Sequence, residues 1–266
     1  MFFGKFATIT FVKISAVIIT FNEEANIADA IDSVRWADEI LVVDSESTDD
    51  TVAIAKSLGA KVIVRPWPGF SQQKQFAADA ASNELIISLD ADERISGELA
   101  AEIESIRNSG VMKAGYRIPR LTIYMGRPIR HGGWYPDRQL RLFDRRLARW
   151  KSAVVHESVE ITNGSNPGEL RGNIIHHSVE SAAHHHRMVG ERYAPLAARQ
   201  MFERGRRTSP FKTAVSALST FTRFYVLKLG FLDGFPGLCI AYFAAYNTFL
   251  KHLMLWEMQD RGSGND

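Results

Sequence analysis

Short apolar runs alternate with helical patterns over the first half of the chain. Runs rich in β-branched residues predict strands at residues 14–20, 39–43, 61–64 and 84–89. Apolar positions three or four residues apart predict helices at residues 24–34, 47–58, 72–81 and 98–107. This alternation is typical of βαβ units, in which helices connect parallel strands. The pattern predicts an α/β fold with a mostly parallel, Rossmann-like central sheet flanked by helices.

The last third of the chain has a different pattern. Residues 191–201 and 212–229 have helical periodicity, and residues 231–250 are only weakly polar. His184–Met258 carries ten Lys and Arg residues against four Asp and Glu residues. Helices with apolar and basic faces suit adsorption to an anionic bilayer. The alternative is a helical bundle that packs against the first part of the chain or against a second subunit.

We therefore expect two parts. A catalytic domain is predicted over residues 1–180, with one half at about 14–93 and another at about 94–180. A C-terminal helical, membrane-associating extension is predicted over residues 181–266. Its weakly polar segment is at the short end of what crosses a bilayer, about 17 to 25 residues, so a span, a re-entrant segment and an interfacial helix all remain open.

Composition narrows the function classes further. A net charge of +2 over 266 residues predicts no general attraction to nucleic acid. The single cysteine, Cys239, excludes an internal disulfide and fits a reducing compartment. The first residues are interrupted by Lys5 and Lys13 and lack a small-residue cleavage pattern, so we expect no signal peptide there.

Polar side chains follow three of the predicted strands, at Thr20–Glu23, at Asp44 and at Asp90–Asp92. In open parallel sheets, ligands bind outside the carboxyl ends of the strands. No GxGxxG or GKS/T loop follows these strands, which argues against a dinucleotide dehydrogenase and a P-loop enzyme. Phosphates would then have to be held by a metal ion and by cationic side chains.

Asp90 and Asp92 are the best candidates for metal ligands. They alternate with Ala91, so in an extended conformation they point the same way. Carboxylate oxygens suit Mg²⁺ or Mn²⁺. An acidic turn after a strand would produce the same residues, since Asp is a common turn residue.

Several motifs, in order and spacing, resemble the family 2 glycosyltransferases, which use a GT-A fold. Later motifs are similar to those of lipopolysaccharide core glucosyltransferases of the WaaE/KdtX type, and the resemblance runs from about residue 14 to 257. The motifs are VIITFNEE at 17–24, EILVVDSESTDDT at 39–51, LIISLDADE at 85–93, GGWYPDRQLRLFDR at 132–145, VHE at 155–157 and FLDGFPGL at 231–238.

The resemblance implies a binding site for a nucleotide-sugar donor. Phe21 and Asp44 would border the nucleobase, Asp90 would lie near the ribose and the metal, and Asp92 would be the main metal ligand. His176 falls where relatives carry a histidine that can complete the metal shell. Glu23 matches the family pattern, although an acidic residue also favours the start of a helix.

Inverting sugar transfer needs a base that removes the proton of the acceptor hydroxyl. His156 and Glu157 fit the position where the resembling enzymes place that group. Adjacent residues of a strand face opposite ways, so only one of the two points easily at the acceptor, and we favour Glu157. The alternative is that both are surface residues of a strand.

Arginine and lysine side chains are candidates for contacts with the diphosphate. Arg138 and Arg141 lie in an alternating strand and therefore point to opposite faces, so we do not expect them to act together. Lys74, in the third crossover helix, could meet the diphosphate or the donor sugar. A solvated helix face is its alternative interpretation.

The resemblance implies an inverting, metal-dependent transferase that moves a hexose, expected to be glucose, from UDP-glucose to a membrane glycolipid in lipopolysaccharide core synthesis. Such an enzyme would act at the cytoplasmic side of the inner membrane, peripheral or partly embedded, and a homo-oligomer is compatible with the sequence. The alternatives are a polyprenyl-phosphate sugar transferase, a metal-dependent nucleotidyltransferase and a non-catalytic membrane-bound scaffold.

Overall fold

A computed structural model describes residues 12–110, 112–151 and 157–263, with side chains to residue 260. Its strands are β1 (Ile14–Thr20), β2 (Glu39–Asp44), β3 (Lys61–Val64), β4 (Leu85–Asp90), β5 (Glu93–Ile95), β6 (Gly115–Tyr124), β7 (Arg127–Pro128), β8 (Asp137–Asp144), β9 (Ala148–Trp150), β10 (Val159–Ile161), β11 (Gly168–Glu169) and β12 (Ile174–Val179). The four predicted strands are confirmed to within one residue at each end.

The main sheet has the order β3-β2-β1-β4-β8-β6-β12-β5, and β7 and β11 pair with β6. Strands β3, β2, β1 and β4 are parallel, whereas β8 runs antiparallel to both β4 and β6. Strands β9 and β10 form a separate antiparallel pair. The sheet is therefore parallel from β3 to β4 and mixed beyond β4, where most pairs are antiparallel and β11 pairs with β6 in parallel.

The helices are α1 (Ile27–Asp32), α2 (Thr51–Ser57), α3 (Phe70–Ala80), α4 (Gly97–Ser109), α5 (Ala182–Arg187), α6 (Ala194–Glu203), α7 (Pro210–Thr222) and α8 (Gly234–Ser263). Met188–Tyr193 and Arg223–Leu227 are π-helical, and Gly230–Asp233 is a 3₁₀ turn.

Strand β1 is buried on both faces because helices cover both sides of the sheet. Ile14, Ala16 and Ile18 pack with α1, α2 and α4, whereas Val17 and Ile19 pack with α3. This two-sided burial is the reason that the strand is a continuous apolar run in the sequence. It also fixes the register that brings the strand ends together.

Two helix starts differ from the prediction. Helix α1 begins at Ile27 and α2 at Thr51, each several residues later than the periodicity indicates. Ser47 does not cap α2, because its hydroxyl and its backbone N–H both donate to the Asp44 carboxylate. The polar residues before these helices form turns with side-chain hydrogen bonds, which compete with helix formation.

The chain divides into two compact units. The first comprises residues up to Arg120 together with Asp137–His176, and the second comprises Leu121–Pro136 together with the residues from His177 onward. The predicted boundary at residue 180 is close to this division, but it assigns 121–136 to the catalytic domain.

The segment 121–136 is held within the second unit by Asp233. The Asp233 carboxylate accepts hydrogen bonds from the backbone N–H groups of Arg130 and His131, at 3.2 and 2.8 Å. His131 Nδ1 lies 2.8 Å from the same carboxylate. Pairs of residues this far apart in sequence give no local signal, so periodicity did not reveal the assignment.

The predicted helix over 212–229 ends at Leu227. Leu229 has a φ of +58°, and a Cβ added to Gly230 would lie 2.6 Å from the carbonyl oxygen of Phe224. Glycine therefore permits the chain to turn closely past the preceding helix. Among the described residues no single helix is long and apolar enough to cross a membrane. The helices Pro210–Leu227 and Gly230–Asp260, which are bent by 69° relative to each other, meet the criteria of length and composition only when they are taken together.

Candidate active site

The parallel register brings three strand ends to one edge of the sheet. Thr20 pairs with Asp44, and Ile19 pairs with Asp90. The polar residues that follow β1, β2 and β4 therefore lie side by side, as expected for a ligand-binding edge of an open parallel sheet.

Asp44 is completely buried at this edge. Its carboxylate accepts hydrogen bonds from the backbone N–H and the hydroxyl of Ser47, at 2.8 and 2.5 Å. Beside it, the buried hydroxyl of Thr20 has no hydrogen-bond partner within the described part of the chain. Phe21 is 56% exposed, so its ring is accessible for stacking. This strand edge therefore presents an exposed aromatic ring and a buried hydroxyl without a partner in the described part of the chain.

Glu23 contributes to the start of α1. Its backbone carbonyl accepts hydrogen bonds from Asn26 and Ile27, and its carboxylate accepts one from Asn26 Nδ2 at 2.8 Å. These contacts support the interpretation that Glu23 stabilises the start of a helix.

The backbone is not extended from Asp90 to Asp92, so the alternation expected of these two residues does not apply. Strand β4 ends at Asp90, and the chain turns through Ala91 and Asp92 before β5 begins at Glu93. The turn is closed by the Glu93 carboxylate, which accepts a hydrogen bond from the backbone N–H of Asp90 at 3.0 Å. Alternation requires an extended backbone, and the turn removes it. The two aspartates consequently have different partners.

Asp90 faces two cations. Lys74 Nζ lies 2.9 Å from Asp90 Oδ1, and Arg141 Nη2 lies 3.4 Å from Asp90 Oδ2. Burial opposes ionisation of Asp90, but the charges of Lys74 and Arg141 outweigh it and hold the pKa of that carboxyl below its ordinary value. The negatively charged form of Asp90 is therefore stabilised by its two cationic neighbours.

Lys74 is completely buried, so the interpretation as a solvated helix face is wrong. Its Nζ also lies 3.3 Å from Glu157 Oε1 and 5.1 Å from the centre of the Trp150 ring. Helix α3 packs its buried face against the sheet, and this face carries Lys74 inward. Lys74 thus joins Asp90 and Glu157, which are far apart in sequence.

A β-bulge places Arg141 in the same cluster. Leu142 pairs with Tyr116 and Leu140 pairs with Arg117, so Arg141 is an extra residue of β8. Bulges of this kind redirect a side chain and are frequent beside active sites. One guanidinium nitrogen, Nη1, is buried without a hydrogen-bond partner in the part of the chain that the structure describes.

Arg138 is not part of this cluster. Its Nη1 donates to Glu169 Oε2 at 2.8 Å and to the carbonyl of Leu170 at 3.2 Å. Arg138 and Arg141 therefore have different partners, as expected for residues on opposite faces of a strand, and a contact of Arg138 with the diphosphate stays a prediction. The guanidinium of Arg138 is already held by a carboxylate on β11.

Three further charged residues support the cluster and were missed by the sequence analysis. Glu93 is completely buried and bonds Arg141 Nη2 and Arg120 Nη1, both at 3.2 Å. Arg120 also donates to Asp137 Oδ2 from two nitrogens, at 2.9 and 2.7 Å. The position of Glu93 immediately after the two aspartates was a signal in the sequence. Arg120 and Asp137 had none, because they meet only through strand pairing.

Asp92 lies beside His176, with 3.1 Å between Asp92 Oδ2 and His176 Nε2. Neighbouring ligands of an octahedral ion with bonds of about 2.1 Å would be about 3 Å apart, so this pair fits two positions on one divalent cation. Within the described residues no group of three or more His, Cys, Asp or Glu side chains is arranged to hold a metal. Of the three predicted metal ligands, Asp92 and His176 are in direct contact, whereas the closest charged partners of Asp90 are Lys74 and Arg141, and its role as a metal ligand stays a prediction.

Glu157 lies two residues before the start of β10 with its side chain 29% exposed, so it is accessible while bound to Lys74. His156, the other candidate base, lies outside the described residues. The carboxyl edge of the parallel strands thus presents an accessible carboxylate, two buried cations and the Asp92–His176 pair.

Comparison with known proteins decides the family. Residues 15–159 match the family described as Glycosyl transferase family 2, which covers more than half of the chain. The chain belongs to this family. The resemblance inferred from the sequence motifs is confirmed, and so is the GT-A fold class with a C-terminal helical region.

Two relatives of this glycosyltransferase match it over nearly its whole length. An uncharacterized glycosyltransferase of Rickettsia typhi is 36% identical over 258 residues, covering 92% of this chain and 87% of the relative. The lipopolysaccharide core biosynthesis glycosyltransferase LpsC of Rhizobium meliloti is 28% identical over 254 residues, covering 91% of this chain and 93% of the relative.

Among solved structures, glucosyl-3-phosphoglycerate synthase of Mycobacterium tuberculosis, in complex with Mn²⁺, UDP and glucosyl-3-phosphoglycerate, is 25% identical at a TM-score of 0.36. The match covers 47% of this chain and 51% of that protein. This overlap is too small to bear on the fold or the ligands of this glycosyltransferase.

Proposed function

We propose that this family 2 glycosyltransferase transfers a hexose, glucose, from a UDP-sugar to a membrane glycolipid with inversion, in lipopolysaccharide core synthesis. The observation that carries the proposal is the contact of Glu157 with Lys74, which also binds Asp90 at the carboxyl end of β4. The relationship to LpsC over almost the full length of both chains supports the choice of acceptor class.

Glu157 is the proposed base. In the reaction the acceptor oxygen forms a bond to the anomeric carbon, the bond from that carbon to the diphosphate oxygen breaks, and the acceptor proton passes to Glu157. The ion pair with buried Lys74 orients the carboxylate, and its partial exposure leaves room for an acceptor. A base held by a second group is the arrangement that positions a proton acceptor.

Arg141 and Thr20 are proposed to bind the donor. The unpartnered Nη1 of Arg141 is buried, and an unsatisfied buried donor is costly unless a ligand supplies an acceptor. A diphosphate oxygen would satisfy it and would match the geometry of a guanidinium. The unpartnered hydroxyl of Thr20 and the exposed ring of Phe21 are suited to the nucleoside at the neighbouring strand end.

Asp92 and His176 are the side chains that would hold a divalent cation, Mg²⁺ or Mn²⁺. Two protein ligands suit an ion whose remaining positions are filled by water and substrate phosphates. Such an ion, when bound, neutralises negative charge on a departing diphosphate.

We propose a location at the cytoplasmic side of the inner membrane, because the proposed acceptor is a membrane glycolipid. Exposed large apolar residues are concentrated in the second of the two units, the helical unit. They include Phe211, Leu218, Leu227, Phe235 and Tyr242, each at least 60% exposed. A concentration of exposed apolar residues supports a contact with a protein or a membrane.

A donor screen tests the proposal. The purified protein is incubated with UDP-, GDP- and CMP-sugars, Mg²⁺ or Mn²⁺ and membrane glycolipid, and the released nucleotide is measured. We expect release of UDP that requires the glycolipid for full rate. Release of pyrophosphate would identify a nucleotidyltransferase, and the absence of binding or turnover with every donor would refute the proposal.

A further inference from the structure

A cationic cavity of about 480 Å³ lies within the helical unit. Its volume is in the range of small-molecule sites, roughly 300 to 1,000 Å³. Four cations line it, Arg206, Arg207, Lys212 and Lys251, and within the described residues no Asp or Glu is among the lining side chains. A cavity with this lining is suited to an anion.

The cations that line this cavity differ from those of the active-site cluster in their partners. In residues 12–110, 112–151 and 157–260 no carboxylate pairs with Arg206, Arg207 or Lys251. Burial lowers the pKa of Lys251 below its ordinary value, and the nearby charge of Arg223 lowers it further. An anion beside Lys251 would stabilise its charged form.

The cavity is held together by contacts between the loop before α7 and helix α8. Thr208 Oγ1 lies 2.9 Å from His252 Nδ1, and the backbone N–H of Thr208 donates to Gln259 Oε1 at 2.7 Å. Lys212 lies in the first turn of α7, where the helix dipole adds positive potential. The cationic side chains therefore extend from elements that are joined to each other by hydrogen bonds.

An apolar surface lies beside the cavity on the same helix. Phe211, Val215 and Leu218 are 79%, 48% and 68% exposed, and their spacing places them on one face of α7. Lys212 and Ser216, one position later, line the cavity. An anionic group and an apolar chain would therefore be bound next to each other.

We propose that this cavity binds the phosphate group of a membrane lipid, while Phe211, Val215 and Leu218 enter the acyl region. A phosphate would supply the negative charge that pairs with the four cations, and lipid chains match the exposed apolar face of α7. The site goes beyond the proposed function, because it requires neither a nucleotide nor sugar transfer.

Vesicle flotation of the full chain without nucleotide tests the site. We expect binding to phosphatidylcholine vesicles that contain phosphatidic acid, and little binding to phosphatidylcholine alone. The double variant K212Q/K251Q is expected to bind at least about tenfold more weakly, since each cation near a membrane surface contributes roughly fivefold. The control is R204Q, which removes one positive charge at the end of α6, close in sequence to Arg206 and Arg207 but outside the cavity lining, so the losses are compared per charge removed.

R204Q distinguishes binding of phosphate in the cavity from general attraction of the membrane to the positive charges of the protein. Losses of the same size per charge in R204Q and in K212Q/K251Q would overturn the cavity. K251R preserves the charge and is expected to retain binding, and thermal melting of each variant shows whether it is folded. If K212Q/K251Q does not fold, R207Q and R204Q form the comparison, and equal losses overturn the cavity in the same way.

Inorganic phosphate and F211S distinguish the source of the phosphate. We expect F211S to weaken vesicle binding and to leave binding of inorganic phosphate unchanged. Strong binding of inorganic phosphate together with unaltered vesicle binding by F211S would overturn a lipid ligand. Donor hydrolysis provides an independent readout: vesicle binding without hydrolysis refutes the proposed function alone, and hydrolysis without vesicle binding refutes this site alone.

Discussion

The ammonium of Lys74 lies 2.9 Å from the carboxylate of Asp90, with the Lys74 side chain completely buried and that of Asp90 24% exposed. The same ammonium reaches Glu157 at 3.3 Å. A buried lysine thus connects the end of a parallel strand to the candidate base. This relationship determines which substitutions should affect stability and which should affect chemistry.

We expect K74M to lower the free energy of unfolding by about 3 kcal/mol, because it leaves Asp90 without its closest cation in a buried setting. Urea denaturation measures this loss. The matched control is K61M: Lys61 pairs with Glu39 at 2.8 Å, but its side chain is 65% exposed, so a change of no more than about 1 kcal/mol is expected. Similar losses in both variants would contradict the importance of burial.

We expect E157Q to reduce kcat with a glycolipid acceptor by about 10² to 10⁴, since it removes the proposed proton acceptor. The affinity for the donor should change little. E160Q serves as control, because Glu160 is 55% exposed and pairs with Lys151 on the surface. Full activity of E157Q would instead favour a polyprenyl-phosphate acceptor, which is already ionised.

The two arginines of β8 should respond differently. R141Q removes a buried donor that faces Asp90 and Glu93, and we expect kcat/KM to fall by about 10² or more. R138Q breaks a partly exposed pair with Glu169, so its effect should stay within about fivefold. Steady-state kinetics with folded variants tests this difference, and comparable losses would show that Arg138 also serves the donor.

Removal of either side chain of the Asp92–His176 pair should weaken Mn²⁺ binding. D92N and H176A are each expected to lose at least roughly tenfold in affinity, because even the loss of an outer-shell partner has that effect. Titration followed by electron paramagnetic resonance measures free Mn²⁺. The exposed carboxylate of Asp50 provides the control variant D50N, and equal affinities in all three variants would exclude this pair as the ligands.

Glu39 should contribute stability that depends on pH. Burial raises the pKa of its carboxyl, but hydrogen bonds from Lys61, Ser15 and Ser82 outweigh this and lower it from 4.5 to about 2. A depressed folded-state pKa means that the stabilisation is present above about 4.5 and is lost as the pH falls toward 2. We expect E39Q to be less stable than the wild type at pH 7, with the difference shrinking over that interval in urea denaturation. A constant difference down to pH 2 would contradict the assignment.

Local periodicity was sufficient for the parallel half of the fold. Strands buried on both faces are apolar runs whatever surrounds them, so their positions, and the polar residues at their carboxyl ends, could be read from the sequence. The motifs also placed the chain in its family. These features depend on neighbouring residues and on order along the chain.

The composition of the cluster was decided by tertiary structure. Lys74 and Glu157 are 83 positions apart and meet only after α3 packs on the sheet. Arg141 is redirected by a bulge, and the turn after β4 separates Asp90 from Asp92. The sequence by itself determined which strands end in polar residues, whereas the fold decided which of those residues form ion pairs with one another. The reason is that burial and long-range pairing set electrostatic partners that local spacing does not encode.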